Sequence, residues 1–240
     1  MTRSTDMLRQ LKDEMAGTAD PEKARLLAGF FKTGPGEYGE GDVFLGINVP
    51  GQREVAKKYK GLSLAAVGKL LKSGIHEHRL TALIILTGRY GKADAEERER
   101  IFEFYLANAG RINNWDLVDV SAPNIVGEFL LANRGRRGVL GRLARSKNLW
   151  ERRIAVLATG AFIRAGQFGP TLRIAKMLLR DEHDLIHKAI GWMLREVGKR
   201  DQAAEEGFLA KQAAVMPRTM LRYAIERFSP RRRAQYMGLR

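Results

Sequence analysis

Trp150-Glu151-Arg152-Arg153-Ile154-Ala155 opens an apolar stretch with helical spacing, and the same opening recurs along the chain. His78-Arg79-Leu80-Thr81-Ala82, Ile186-His187-Lys188-Ala189-Ile190 and Pro217-Arg218-Thr219-Met220 each place a basic residue near the first turn of an apolar helix. Asn114-Trp115-Asp116-Leu117-Val118-Asp119 fits the same register. Anchoring on Arg79, Asp116, Arg153, Lys188 and Arg218 gives intervals of 37, 37, 35 and 30 residues. That is the length of a two-helix solenoid unit of the HEAT or armadillo kind. In such a solenoid, corresponding helices line one wall, so side chains at equivalent offsets converge on a shared groove. The competing arrangement is an irregular helical bundle.

Outward from these anchors, nearly every segment has helical periodicity. Met7, Leu8, Leu11 and Met15 follow helical spacing, and Pro21 opens the next helix after Asp20 as N-cap. Further helices are predicted at roughly 51–60, 63–73, 77–90, 94–109, 116–132, 135–145, 149–165, 169–180, 184–199, 202–214 and 217–228. No run shows the sustained two-residue alternation of a strand. The fold class read from this is all-α, in a single domain spanning residues 1–240. One segment departs from the pattern: Thr33-Gly34-Pro35-Gly36-Glu37-Tyr38-Gly39-Glu40-Gly41-Asp42, a Gly-rich loop over about residues 33–43. Its Gly34-x-Gly36-x-x-Gly39 matches a dinucleotide fingerprint in spelling but follows a helix and runs on into loop, which is the wrong context.

The chain has 240 residues, 42 Lys+Arg and 27 Asp+Glu, a net charge of +15. Residues 1–120 hold 18 basic and 17 acidic side chains, whereas residues 121–240 hold 24 and 10. A one-signed field concentrated in half a molecule attracts polyanions, nucleic acid being the commonest. There is no cysteine, which excludes a disulfide scaffold, a thiolate zinc site, an iron–sulfur cluster and a Cys nucleophile. No apolar stretch approaches the roughly 18 to 20 residues that span a bilayer. The charged N-terminus lacks the apolar segment of a signal peptide. The expectation is a soluble, cytoplasmic chain, nucleoid-associated in a bacterium, with no membrane partner.

Among the three tryptophans, Trp150 is expected in the core. Trp115 lies four residues before Asp119, and Trp192 four after Lys188, so each pair shares a helical face. In the repeat register, Asp119, Arg153 and Trp192 project into one groove. A carboxylate, a guanidinium and two indoles suit a cationic ligand that bears phosphate. Indole faces attract a delocalised cation by about 0.5 to 2 kcal/mol each, and Arg chelates phosphate. With no ligand, the same residues read as an Asp capping a helix and an Arg in a surface pair. Basic residues crowd at 134, 136, 137, 142, 145, 147, 152 and 153, against the single acid Glu151, and a basic tail covers about 229–240. Of these, Lys147 and Arg153, together with Lys188, are the expected phosphate contacts. His183 and His187 form an i, i+4 pair and His76 and His78 are close, yet neither pair has the third ligand that a metal site needs. No metal and no cofactor are expected. Nor is there a serine-hydrolase or Walker motif.

Asn114-Trp-Asp-Leu-Val-Asp119, Asn148-Leu-Trp-Glu-Arg-Arg153-Ile-Ala and Lys188-Ala-Ile-Gly-Trp192-Met-Leu-Arg195-Glu resemble the AlkD-type DNA alkylation-repair glycosylases. Phe44-Leu-Gly-Ile-Asn-Val-Pro50 fits the same family, and the similarity runs in order from about residue 20 to about 230. The resemblance implies a C-shaped, HEAT-like solenoid whose basic concave groove holds duplex DNA. It also implies a monofunctional, monomeric glycosylase that excises cationic N3- and N7-alkylated purines. Carried over by position, Asp119 matches the catalytic carboxylate, Trp115 and Trp192 the paired aromatics, and Arg153 the groove arginine. Some members have Trp-Trp-Asp where this chain has Asn114-Trp115-Asp116, so one indole is missing here. Whether Asp119 also activates water, and whether the base is flipped, stay open from sequence. Two rival readings are a non-catalytic helical-repeat module for damaged or branched DNA and a scaffold for acidic proteins.

Overall fold

Polar residues that bond to free backbone amides start most of the helices. Asp20 accepts from Glu22 and Lys23 N–H, Asn48 from Gly51, Ser63 from Ala66, Asp94 from Glu97, Asn148 from Trp150 and Asp201 from Ala204. The computed structural model describes residues 3–239. The chain divides into two units, Met1–Ser121 and Ala122–Arg240. The first contains α1 (Arg3–Gly17), α2 (Pro21–Phe30), α3 (Val49–Lys58), α4 (Leu64–Leu71), α5 (His76–Tyr90), α6 (Ala95–Ala107) and α7 (Trp115–Ser121). The second contains α8 (Glu128–Ala132), α9 (Gly138–Ala144), α10 (Leu149–Arg164), α11 (Gly169–Met177), α12 (Asp184–Gly198), α13 (Gln202–Gln212), α14 (Arg218–Ala224) and α15 (Pro230–Gly238). The all-α expectation holds: among the described residues extended pairing is confined to one isolated bridge, Val43 to Ile75.

In the first unit α5 is the central helix, with α3, α4, α6 and α7 packed on it. In the second, α12 packs against both α10 and α14, with α11 and α13 behind. Each repeat anchor falls at the start of one of these helices: Arg79 on α5, Asp116 on α7, Arg153 on α10, Lys188 on α12 and Arg218 on α14. The helical repeat is therefore visible within each unit. The predicted helix over 116–132 is interrupted. Pro123 has no amide hydrogen to donate, and Pro123–Gly127 widens into a π-turn in which Gly127 N–H reaches Ala122 O at 2.9 Å. The 135–145 prediction shortens to α9 after a 3-10 turn at Arg134–Arg136, and most of the basic tail is helical in α15.

Close approach of α12 and α14 explains the glycine of Lys188-Ala-Ile-Gly-Trp192. A Cβ on Gly191 would collide with the Met220 carbonyl and the Tyr223 side chain. Gly191→Ala is expected to destabilise the protein by about 1 to 3 kcal/mol, seen as a Tm lower by several degrees. Gly207→Ala on α13, where a Cβ meets nothing within 4 Å, should not lower it.

Glu205 of α13 is only 2% exposed, and its Oε1 accepts no hydrogen bond. Burial, then the like charge of Glu206, push its carboxyl up to about 8 against an opposing pull from Arg195. A carboxyl raised on folding favours the folded state below its ordinary 4.5, and that contribution is lost as pH rises through about 8. Thermal melts should therefore show Glu205→Gln stabilising the protein at pH 8 to 9, by about 1 kcal/mol or more. No gain is expected at pH 4, below the ordinary 4.5.

Candidate functional site

Helix α7 begins where two side chains, Asn114 and Asp116, each accept from the next backbone amide. Asn114 Oδ1 accepts from Trp115 N–H at 2.8 Å, and Asp116 Oδ1 accepts from Leu117 N–H at 2.8 Å. Asp116 also places a negative charge in the first turn, where the helix dipole favours it. Leu117 and Val118 are fully buried and fix one side of α7 to the core. Trp115, Asp116 and Asp119 are half-buried. Trp115 and Asp119 stand one turn apart on the same helical face, as the sequence spacing requires. The Asp119 charge lies close enough to Tyr105 to reinforce burial in raising that phenol, against its hydrogen bond with Ser121.

Behind Trp115 runs a column of aromatic rings. Its indole stacks on Phe31 at 5.0 Å and 11°, Phe31 on Phe44 at 5.1 Å, and Phe44 on the His76 imidazole at 4.7 Å. Phe30, 64% exposed, meets the indole edge-on at 5.8 Å.

Beside the column lies a polar network absent from the sequence reading. His76 Nδ1 bonds Asp42 Oδ2 at 3.0 Å and Nε2 bonds Asp116 Oδ2 at 2.8 Å. Arg79 donates to Asp42 Oδ1 at 2.5 Å and to the Ser73 carbonyl at 2.9 Å, and Asn114 Nδ2 donates to Asp42 Oδ2 at 3.3 Å. Burial raises Asp42, but the His76 hydrogen bond and the Arg79 and His76 charges outweigh it, leaving the carboxyl below its usual range. Arg79 and Asp116 stood out in the sequence only as repeat anchors, and His76 only as a neighbour of His78.

The Gly-rich loop ends in this network. Within it, Gly34 N–H donates to Glu37 and Gly36 N–H to Glu40, both at 2.9 Å. Beyond Asp42, the buried Glu77 carboxylate accepts from the amides of Leu45, Gly46 and Ile47 at 2.8 to 3.3 Å. Gly46 has φ +85°, and a Cβ there would strike the Asp20 carbonyl, so Phe44-Leu-Gly-Ile-Asn-Val-Pro50 needs its glycine.

In the second unit, Arg153 is 5% exposed and donates through Nη1 to the Leu185 carbonyl at 2.7 Å. Lys188 pairs with Asp184 at 2.7 Å, and Trp192 Nε1 donates to Glu196 at 3.2 Å. Lys188 and Trp192 share a face of α12, as their spacing predicted. Lys147 is exposed in the turn between α9 and α10. Trp150 is buried, in line with its expected place in the core.

The histidine pairs are occupied otherwise: His78 Nδ1 faces Ser73 Oγ at 2.9 Å, His183 caps α12 through Leu185 N–H, and His187 bonds the Asp181 carbonyl. Among the described residues no cluster of three potential metal ligands occurs, and no helix is long and apolar enough to cross a membrane. A cleft of about 1160 Å³ beside α3, α5 and the start of α6 carries Arg53, Lys60 and Lys92, but also Glu54, Asp94 and Glu97.

No curated protein matches the chain. Among solved structures, one from Enterococcus faecalis, described as a "Predicted DNA alkylation repair enzyme", is similar with a TM-score of 0.69. That likeness covers 88% of this chain and 97% of that one at 17% identity, and it shows the fold alone. The family model described as DNA alkylation repair enzyme matches residues 11–228. Matching most of its length, the chain belongs to the DNA alkylation repair enzyme family.

Proposed function

We propose that this chain is a DNA glycosylase that hydrolyses the N-glycosidic bond of cationic N3- and N7-alkylated purines in duplex DNA. Membership of the family supports a repair role with DNA as partner. The observation that carries the finer reading is the pairing on α7 of a half-buried carboxylate, Asp119, with the indole of Trp115 one turn earlier.

The residue types suit the chemistry. Alkylation at N3 or N7 leaves the purine positively charged, so it departs with the C1′–N electron pair and becomes neutral without a general acid. Positive charge then moves to the sugar as an oxocarbenium ion. Asp119 stabilises that ion, and water adds to C1′ with loss of a proton. Carboxylates serve glycoside hydrolysis on the same grounds. Trp115 supplies a face for the cationic base or sugar. Lys188 and Lys147 hold phosphates, in a unit with 24 basic and 10 acidic residues.

With duplex DNA carrying 7-methylguanine, the wild type should release free base well above the spontaneous rate. Asp119→Asn should lower single-turnover release by about 100- to 1000-fold while leaving DNA affinity equal or slightly higher. Activity retained within about threefold would remove Asp119 from the role of anion. Tight binding with no release by the wild type would favour a non-catalytic module for damaged or branched DNA. Lys147→Ala, an exposed change, should reduce the slope of log affinity against log salt by about one. An unchanged slope would place Lys147 away from the backbone.

A further inference from the structure

We propose that His76 is a positioning residue for α7, an imidazolium clamped between Asp42 and Asp116 that sets how Trp115 and Asp119 are presented. The proposal rests on the glycosylase reading for its kinetic consequence and on geometry for the rest.

Both ring nitrogens of His76 face carboxylate oxygens, at 3.0 Å and 2.8 Å. A neutral imidazole has a single N–H and can donate to only one of them, whereas the doubly protonated ring satisfies both. The side chains are 2% exposed for His76, 5% for Asp42 and 15% for Asp116, so water is a poor substitute partner. The charged groups facing the ring come from every neighbouring segment: Asp42 from the loop, Arg79 from α5 and Asp116 from α7. With His76 protonated these four charges cancel. With it neutral, one uncompensated negative charge is left in a poorly solvated place. The neighbours His78 and Glu77 are engaged elsewhere, with Ser73 and with the Leu45 to Ile47 amides. Burial pulls the His76 ring down, but its hydrogen bonds to the Asp116 and Asp42 carboxylates outweigh it and hold the ring above the usual histidine range.

Two chains of contact lead from the ring to Trp115. The polar one runs through Asp116 in the first turn of α7, and through Asp42 and Asn114 to the Trp115 amide. The aromatic one runs through Phe44 and Phe31 to the indole itself. A ring that supports both the backbone and the side chain of the same residue constrains its rotation. Asp119, one turn along, moves with it. Deprotonation would loosen both routes together, so the clamp weakens as pH rises through the His76 pKa.

The test combines a structural and a kinetic readout. In ring-nitrogen NMR of the wild type, His76 should be protonated on both nitrogens at pH 7. Its titration should lie above the ordinary 6.5, and the Trp115 indole N–H signal should move with it. His76→Gln, which keeps a donor to one carboxylate, should slow single-turnover release of 7-methylguanine roughly 10- to 100-fold, with duplex affinity within about twofold. Asp116→Asn should behave alike, and His76→Gln on the Asp119→Asn background should add little. A folded His76→Gln variant with unchanged release and an unmoved Trp115 signal would overturn the proposal, as would a His76 that is neutral at pH 7. If the glutamine variant does not fold, the wild-type titration and Asp116→Asn decide. If the wild type releases no base, the glycosylase reading fails, while the coupling of the His76 and Trp115 signals still tests the clamp.

Discussion

Charge buried away from water must be matched where it stands, and the first turn of α5 concentrates that demand. His76, Glu77, His78 and Arg79 follow one another in sequence and all are buried. No side-chain cap starts the helix, whose N-cap residue is Ile75. Each of the four instead reaches a partner outside the helix: His76 the Asp42 and Asp116 carboxylates, Glu77 the Leu45 to Ile47 amides, His78 the Ser73 hydroxyl, and Arg79 Asp42 and the Ser73 carbonyl. Satisfying them fixes the path of the segment after the Gly-rich loop and the start of α7. The carboxylate and indole proposed to act on damaged DNA therefore depend on a polar layer laid down forty residues earlier.

Local signals in the sequence were reliable wherever the interaction was local. Asp20, Asn48, Ser63, Asp94, Asn148 and Asp201 bond to amides within three residues, and Pro21, Pro50, Pro170 and Pro230 occupy first turns. The helical class and most element positions follow from these and from apolar spacing. So do the Trp115–Asp119 and Lys188–Trp192 faces, which need only one turn of helix. The aromatic column and the clamp were illegible for the opposite reason. Asp42 meets His76, Arg79 and Asn114 across 34, 37 and 72 residues, and a Gly-rich loop has no periodicity to announce its destination. Pro123 shows a different gap: an apolar run can carry one helical pattern while a missing amide hydrogen widens the middle of it.

The charge asymmetry fits a division of labour between general and local recognition. Phosphate contacts need many exposed cations and little geometry, which is what the second half of the chain supplies in excess. Stabilising a developing sugar cation needs one anion held in place, because a preorganised charge does not have to reorient as the bond breaks. An anion facing DNA is repelled by the phosphates around it, so its rigid support on α7 is part of the same requirement.

The central claim is that the leaving base carries its own positive charge and the protein supplies only a fixed anion. The most direct measurement compares single-turnover release of 7-methylguanine with that of a neutral lesion, 8-oxoguanine, from the same duplex. The claim requires rapid release of the cationic base, an abasic product on an intact strand, and no release of the neutral base above background. Comparable release of both bases would mean that a proton donor drives departure, and the proposed role of Asp119 would be wrong.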